Sequence, residues 1–302
     1  MKAQIRILAV LGAALAVTSP RLLAEPIYLF QEVNDVRQLV IFNSATPGTI
    51  SNTVTLSGFP GSDTTLFGID FNPADGQLYG RSTDGGVNGT TLLINPATGV
   101  MTAIGVPTAN GGGSFYGFDF DPTGAQYRMT SSSANSRRFD AATGALVQVD
   151  TNLNGAATSI SNIAYSNNVA GAGSTTLYGI DDQGDALVTI GGLNGVPSAN
   201  LGAVTTIGSL GVAVGDFGGF DISGVTGIAY ALFRVNNVSG LYTVNLATGA
   251  ATNVGAIGSG TGAYNGLTVQ PAAVTSGIPE PSSLAMMGIG LGGLLMAARR
   301  RR

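Results

Sequence analysis

From residue 26 to residue 269 the apolar positions fall into short bursts, each cut off by a cluster of Gly, Asn, Asp, Ser or Thr, whereas residues 7–17 and 284–298 are continuous apolar runs. Short bursts between turn residues are the pattern of β-strands joined by tight turns. The bursts come in fours. One unit reads "FGIDFNPADGQLYGRSTDGGVNGTTLLINPATGVMTAIG" and the next "YGFDFDPTGAQYRMTSSSANSRRFDAATGALVQVD". A third runs from "SNIAYSNN" through "TTLYGIDDQGDALVTIGG" to "AVTTIGSLG", and a fourth reads "GGFDISGVTGIAYALFRVNNVSGLYTVNLATGAATNVGAIG".

Gly68, Gly117, Asn162, Gly219 and Gly266 align at the same place in successive units, at spacings of 49, 45, 57 and 47 residues. A period of this length with four strands per repeat is the signature of propeller blades. The fifth unit stops after "NGLTV", and its three missing strands stand at the front as "IYLFQEV", "RQLVIFNSATPG" and "ISNTVTLSG". The sequence therefore predicts an all-β fold: a five-bladed β-propeller over residues 26–271, four strands to a blade, whose ring closes by uniting the two chain ends in one sheet and so leaves no open edge. A stacked β-sandwich, the alternative, would show no such period. Gly99, Gly144 and Gly249 of "NPATG", "DAATG" and "NLATG" mark hairpins between third and fourth strands, where a positive φ is required.

Composition narrows the chemistry. Glycine is abundant at 46 residues, only 10% of residues are charged, and Cys, His and Trp are absent. The only lysine is Lys2. These absences exclude the usual zinc site, the Ser-His-Asp triad and a lysine Schiff base in the mature protein. Residues 25–278 hold 14 Asp and 2 Glu against 6 Arg. Such an acidic body disfavours nucleic acid, whose phosphates need Lys and Arg; a cation, or a neutral or glycan-like partner, suits it better.

The ends carry addresses. Lys2 and Arg6, the apolar run at 7–17 and small residues ending at Ala24 read as a secretory signal peptide over residues 1–24, which assigns the Sec export machinery and signal peptidase as partners. At the other end a linker at 272–278 leads to Pro279, Glu280 and Pro281, an apolar helix, and Arg299, Arg300, Arg301 and Arg302. The apolar run is shorter than the ~20 residues of a comfortable span, and the arginines form a cytoplasmic stop. In that order the segment 279–302 resembles the PEP-CTERM protein-sorting signal. The resemblance implies export across the inner membrane of a Gram-negative bacterium, transient anchoring there, cleavage near the Pro-Glu-Pro motif by an exosortase, and association with the cell surface and extracellular polysaccharide. Gly288, Gly290 and Gly293 spell G-x-G-x-x-G, but no strand precedes them and no acidic residue follows, so close helix packing is the better reading.

The body also has a resemblance. "LFGIDFNPADGQLYG", "YGFDFDPTGAQYR", "AYSNNVAGAGSTTLYGIDDQGDALVT" and "GGFDIS" are similar to a bacterial family known as domain of unknown function 4394. The similarity implies a shared fold and carries no catalytic residue or cofactor with it.

Candidate sites follow from the repeat. Asp70, Asp119 and Asp221 stand at one position of the first strand in three units, with Ala164 and Thr268 in the other two. Near the axis they could hold Ca2+ or a polar ligand; the structural alternative is that each accepts hydrogen bonds from a neighbouring strand. Asp181, Asp182 and Asp185 surround Gly184 without the spacing or distal Glu of a calcium loop, which favours an acidic hairpin turn. Asp121 in "DFDPTG" reads likewise. Arg128, Arg137 and Arg138 could grip a carboxylated sugar, but are expected on solvated strand faces. Tyr79, Tyr178, Tyr230 and Tyr242 are expected to pack between blades. The sequence thus points to an exported, non-enzymatic surface propeller that binds matrix components or serves a structural role. A polysaccharide-acting enzyme using aspartates and a calcium-stabilised adhesion module are the alternatives.

Overall fold

The computed structural model describes residues 23–272, apart from 86, 216 and 217; residues 1–22 of the expected signal peptide, the Pro-Glu-Pro motif, the expected apolar helix and the terminal arginines lie outside the described residues. The chain enters on β1 (Pro26–Val33), β2 (Val36–Asn43) and β3 (Ile50–Thr55), three strands of a sheet still lacking its innermost member. Blade 1 follows as β4 (Thr65–Phe71), β5 (Leu78–Thr83), β6 (Asn88–Ile94) and β7 (Met101–Ala109). Blade 2 comprises β8 (Tyr116–Phe120), β9 (Gln126–Ser131), β10 (Ser136–Asp140) and β11 (Leu146–Val149).

In blade 3, β12 (Asn154–Gly155) precedes β13 (Ile160–Tyr165), β14 (Leu177–Asp181), β15 (Ala186–Ile190) and β16 (Ala203–Ser209). Blade 4 is β17 (Gly218–Ile222), β18 (Ala229–Val235), β19 (Val238–Val244) and β20 (Ala251–Ala256). Finally β21 (Tyr264–Val269) pairs antiparallel with β1, Ile27 facing Val269, and completes blade 5. The inner strands β4, β8, β13, β17 and β21 touch one another in that order, and β21 returns to β4. The protein is a five-bladed β-propeller closed by its first and last strands.

One blade departs from the expected four strands. β12 runs parallel to β16, with Asn154 opposite Ala203 and Gly155 opposite Val204, so blade 3 has five. The link from the rim of blade 2 to the inner strand of blade 3 must cross the outer edge of blade 3. Pairing there satisfies backbone groups that an edge strand otherwise leaves open.

Burial follows position in the blade. Second strands are covered on both faces by adjoining blades, and β5 and β14 are buried throughout. Outer strands such as β11 and β20 are largely exposed. The apolar core is divided among the seams. Phe220, Ile222, Tyr178 and Leu187 pack between blades 3 and 4, while Leu29, Phe42, Tyr230 and Leu232 pack between blades 4 and 5. Tyr28, Leu39, Phe71 and Leu78 join blades 5 and 1; Tyr79, Phe120 and Tyr127 join blades 1 and 2. The expected tyrosines lie in these seams, with Tyr242 against Phe233 at 5.3 Å.

The "TG" hairpins show why glycine is needed. Gly99, Gly144 and Gly249 have φ of 72°, 68° and 82°. A side chain there would also collide with the fourth strand of the preceding blade, at Thr55 O, Ile104 O and Gly208 O respectively. Each hairpin therefore docks its backbone onto its neighbour.

Candidate functional site: the propeller axis

The inner strands repeat Gly-x-Asp in blades 1, 2 and 4: Gly68 and Asp70, Gly117 and Asp119, Gly219 and Asp221. Residues two apart on a strand face the same way, so both layers point at the next blade. In the first layer a Cβ on Gly68 would strike Phe118, one on Gly117 would lie 3.0 Å from Ile163 Cγ1, and one on Gly219 would strike Leu267 N. Glycine lets the inner strands close up.

The second layer makes a clasp across the seams. Asp70 Oδ2 accepts the Phe120 N–H at 2.9 Å, Asp119 Oδ1 accepts the Tyr165 N–H at 3.2 Å, and Asp221 Oδ2 accepts the Val269 N–H at 2.7 Å. Thr268 continues the pattern in blade 5, where its Oγ1 accepts the Phe71 N–H at 3.2 Å and donates to Asp70 at 2.7 Å. Blade 3 breaks it, because Ala164 has no acceptor. The Ile222 N–H that it would serve turns instead to Asp221 Oδ1 of its own blade at 2.6 Å.

This register brings three carboxylates together on the axis. Asp70, Asp119 and Asp221 are at most 1% exposed, and one carboxylate oxygen from each lies within 4.8 Å of the others. It is the only such cluster of acidic ligand atoms among the described residues. Asp119 Oδ2 is buried without a hydrogen-bond partner. Burial first, then the neighbouring carboxylates, raises Asp70 and Asp119 well above the usual carboxylate range. Asp221 is raised to about 6 by burial, against the lowering effect of its backbone hydrogen bonds.

Above the first layer opens a cavity of about 210 Å³ at the mouth of the axis. Phe67 and Tyr116 stack there with ring centroids 4.1 Å apart, and Tyr116 donates its hydroxyl to the Gly113 carbonyl at 3.0 Å. Ser161, Asn162 and Asn265 add hydroxyl and amide groups, and none of the described residues lining the mouth carries a charge.

Two comparisons bear on identity. The family described as Domain of unknown function (DUF4394) matches residues 38–268, which span the inner-strand repeat from blade 1 to the closing strand. The chain belongs to the DUF4394 family. Behind the DUF4394 ring, residues 277–302 match the PEP-CTERM protein-sorting motif, which marks the chain for export and exosortase processing. No curated protein matches the sequence. Among solved structures, TolB from Acinetobacter baumannii is similar at 14% identity and TM-score 0.45, over 82% of this chain and 67% of that one. A structural genomics protein of unknown function from Bacteroides thetaiotaomicron is similar at 12% identity and TM-score 0.43, over 74% of this chain and 56% of that one.

The other candidates of the DUF4394 domain resolve into structural elements. Asp181, Asp182 and Asp185 form the β14–β15 hairpin: Asp181 Oδ1 accepts the Gln183 N–H at 3.2 Å, Asp182 Oδ2 accepts the Ser161 hydroxyl at 3.0 Å, and Asp185 Oδ1 accepts the Val214 N–H at 2.7 Å. Asp121 makes a turn by accepting the Thr123 N–H at 2.9 Å. Ala24 is exposed and Glu25 is buried, the Glu25 carboxylate accepting hydrogen bonds from Ser223, from Thr226 at 2.9 Å and from Tyr230 at 3.0 Å. The residue after the expected cleavage site is thus fastened to blade 4.

The arginines require a correction. Arg128 is 2% exposed rather than solvated. Its guanidinium donates to Asp150 at 2.6 Å, to Tyr165 Oη at 2.8 Å and to Asn200 at 2.5 Å. Arg138 grips the other side of Asp150 at 2.9 Å, and Arg137 is half-buried. Arg81, which the sequence did not single out, is fully buried over the Phe139 ring at 4.3 Å and donates to Asn110 at 2.8 Å. Arg81 and Arg128 both lie in second strands, where both faces are covered, and that position was the available signal.

Proposed function

We propose that this is an exported surface propeller that binds a neutral polysaccharide of the extracellular matrix at the mouth of its axis, without catalysing a reaction on it. The observation that carries the reading is the lining of the mouth: an aromatic pair, Phe67 with Tyr116, beside Ser161, Asn162 and Asn265, and among the described residues no ionisable acid or base but the tyrosine hydroxyl. Aromatic faces pack on the C–H surfaces of sugars, and amides and hydroxyls exchange hydrogen bonds with their hydroxyls. A glycosidase needs two carboxyl groups flanking the bond it cleaves, whereas the axial carboxylates are buried beneath the glycine layer. The PEP-CTERM motif agrees with a destination at the cell surface.

The test uses the full chain in a mild detergent and neutral extracellular polysaccharide from the producing organism. Binding raises the melting midpoint in a dose-dependent way, and Phe67→Ala removes the rise while leaving the ligand-free midpoint within a few degrees. The polymer keeps its length on prolonged incubation. Shortened polymer would replace the binding reading with an enzymatic one, and an unchanged midpoint would leave the mouth without this ligand.

A further inference from the structure

The axial carboxylates present a problem of charge that the clasp does not solve. Three acids converge in a buried layer, and neither fully buried arginine reaches them: Arg81 is spent on Asn110, Thr91, Tyr127 and Thr108, and Arg128 on Asp150, Tyr165, Ser136 and Asn200. Clasping one backbone N–H needs one oxygen. Asp70 uses its second oxygen on Thr268 and Asp221 on Ile222, but Asp119 Oδ2 is left buried with no donor. A buried polar atom without a partner is destabilising, and more so when charged.

We propose that the axis of the ring is a cation site, in which Asp70, Asp119 and Asp221 hold one Ca2+ per chain with Asp119 Oδ2 as a direct ligand. The donors are all hard oxygens, which select Ca2+ over the softer transition metals. Oxygens bonded to Ca2+ at about 2.4 Å lie at most about 4.8 Å apart, and the three carboxylates meet that limit. Mg2+ demands near-ideal octahedral geometry at about 2.0–2.1 Å and gives up its waters reluctantly, so a site built from three protein carboxylates suits Ca2+ better. Each ligand comes from a different blade, so the ion ties blades 1, 2 and 4 at the point where their inner strands converge. Water completes the shell. The inference does not depend on what the mouth binds, since the glycine layer separates the two and different residues make them.

The experiment strips the full chain with EGTA at pH 7.5, in a mild detergent, and reloads it with CaCl2. Elemental analysis after desalting gives one Ca2+ per chain. The melting midpoint falls on chelation and returns with Ca2+, by roughly 5–10 °C at a hundredfold excess over Kd. Asp119→Asn keeps the Oδ1 acceptor for Tyr165 and gives the native near-ultraviolet spectrum, but binds Ca2+ at least tenfold more weakly. Unmodified protein that takes up no Ca2+ and melts alike in EGTA and CaCl2 overturns the proposal, whatever the variant does. Folded Asp119→Asn that binds Ca2+ as the parent does also overturns it, by placing the ion elsewhere.

Discussion

Blade 3 is joined to its two neighbours in different ways. Toward blade 2 the seam combines an apolar cluster of Ile163, Leu177, Val188 and Ile190 with polar ties: Asp119 clasps the Tyr165 backbone, and Arg128 crosses from β9 to the Tyr165 hydroxyl and to Asn200 while paired with Asp150. Toward blade 4 the clasp is missing at Ala164, and Tyr178, Ile180, Leu187, Phe220 and Ile222 fill the seam instead. Inner strands meet at both seams. The carboxylate clasp is therefore one way of docking a blade and not a condition for it. An apolar seam gains from area removed from water, a polar one from satisfying groups already buried.

The largest effect should come from the apolar seam. Phe220→Ala removes a ring that is 3% exposed and is expected to lower unfolding free energy by about 4 kcal/mol, read from urea denaturation at unchanged m. Arg128→Met follows at about 3 kcal/mol, since it leaves Tyr165, Ser136 and Asn200 without their donor and Asp150 with Arg138 alone. A loss under about 1 kcal/mol would mean that the polar seam is no more than tolerated.

Acidity separates the seams further. Asp221 is raised from 3.8 to about 6, so the folded state holds its proton more tightly than the unfolded state does. Its stabilising contribution is complete below about pH 4 and is lost as pH rises through about 6; Asp70 and Asp119, also raised, act in the same direction. In EGTA, the stability of the parent should fall from pH 4 to pH 7 relative to Asp221→Asn. Parallel curves would show that Asp221 does not titrate there.

The smallest effect is expected from Thr268→Val, about 1 kcal/mol in thermal unfolding, because it deletes a single hydroxyl that accepts from Phe71 and donates to Asp70.

The ring was legible because its repeat is written at backbone level. Glycine at 68, 117 and 219 and aspartate two residues on answer to contacts that recur at every seam, so the period, the closure and the convergence of three carboxylates could be read from one alignment. What does not recur could not be read that way. Arg128 resembled a solvated strand residue because alternation gives the face it occupies but not whether a neighbouring blade covers that face. β12 is two residues long, with no pattern to announce it. The mouth escaped notice because Phe67, Tyr116, Ser161 and Asn265 occupy the variable position just before the aligned residue. Its character depends on which side chains meet, and only the assembled ring shows that.

Closure by the first and last strands also sets a clock. Tyr28 hydrogen-bonds to Gln270 across 242 residues of chain, and β1 cannot gain its inner partner before β21 exists. Contacts so distant in sequence make folding slow, because chain entropy is lost before any contact repays it. A chain delivered from its N-terminus must therefore wait, with one sheet incomplete, until almost the whole propeller has emerged. The ring can lock only once its last strand has been delivered.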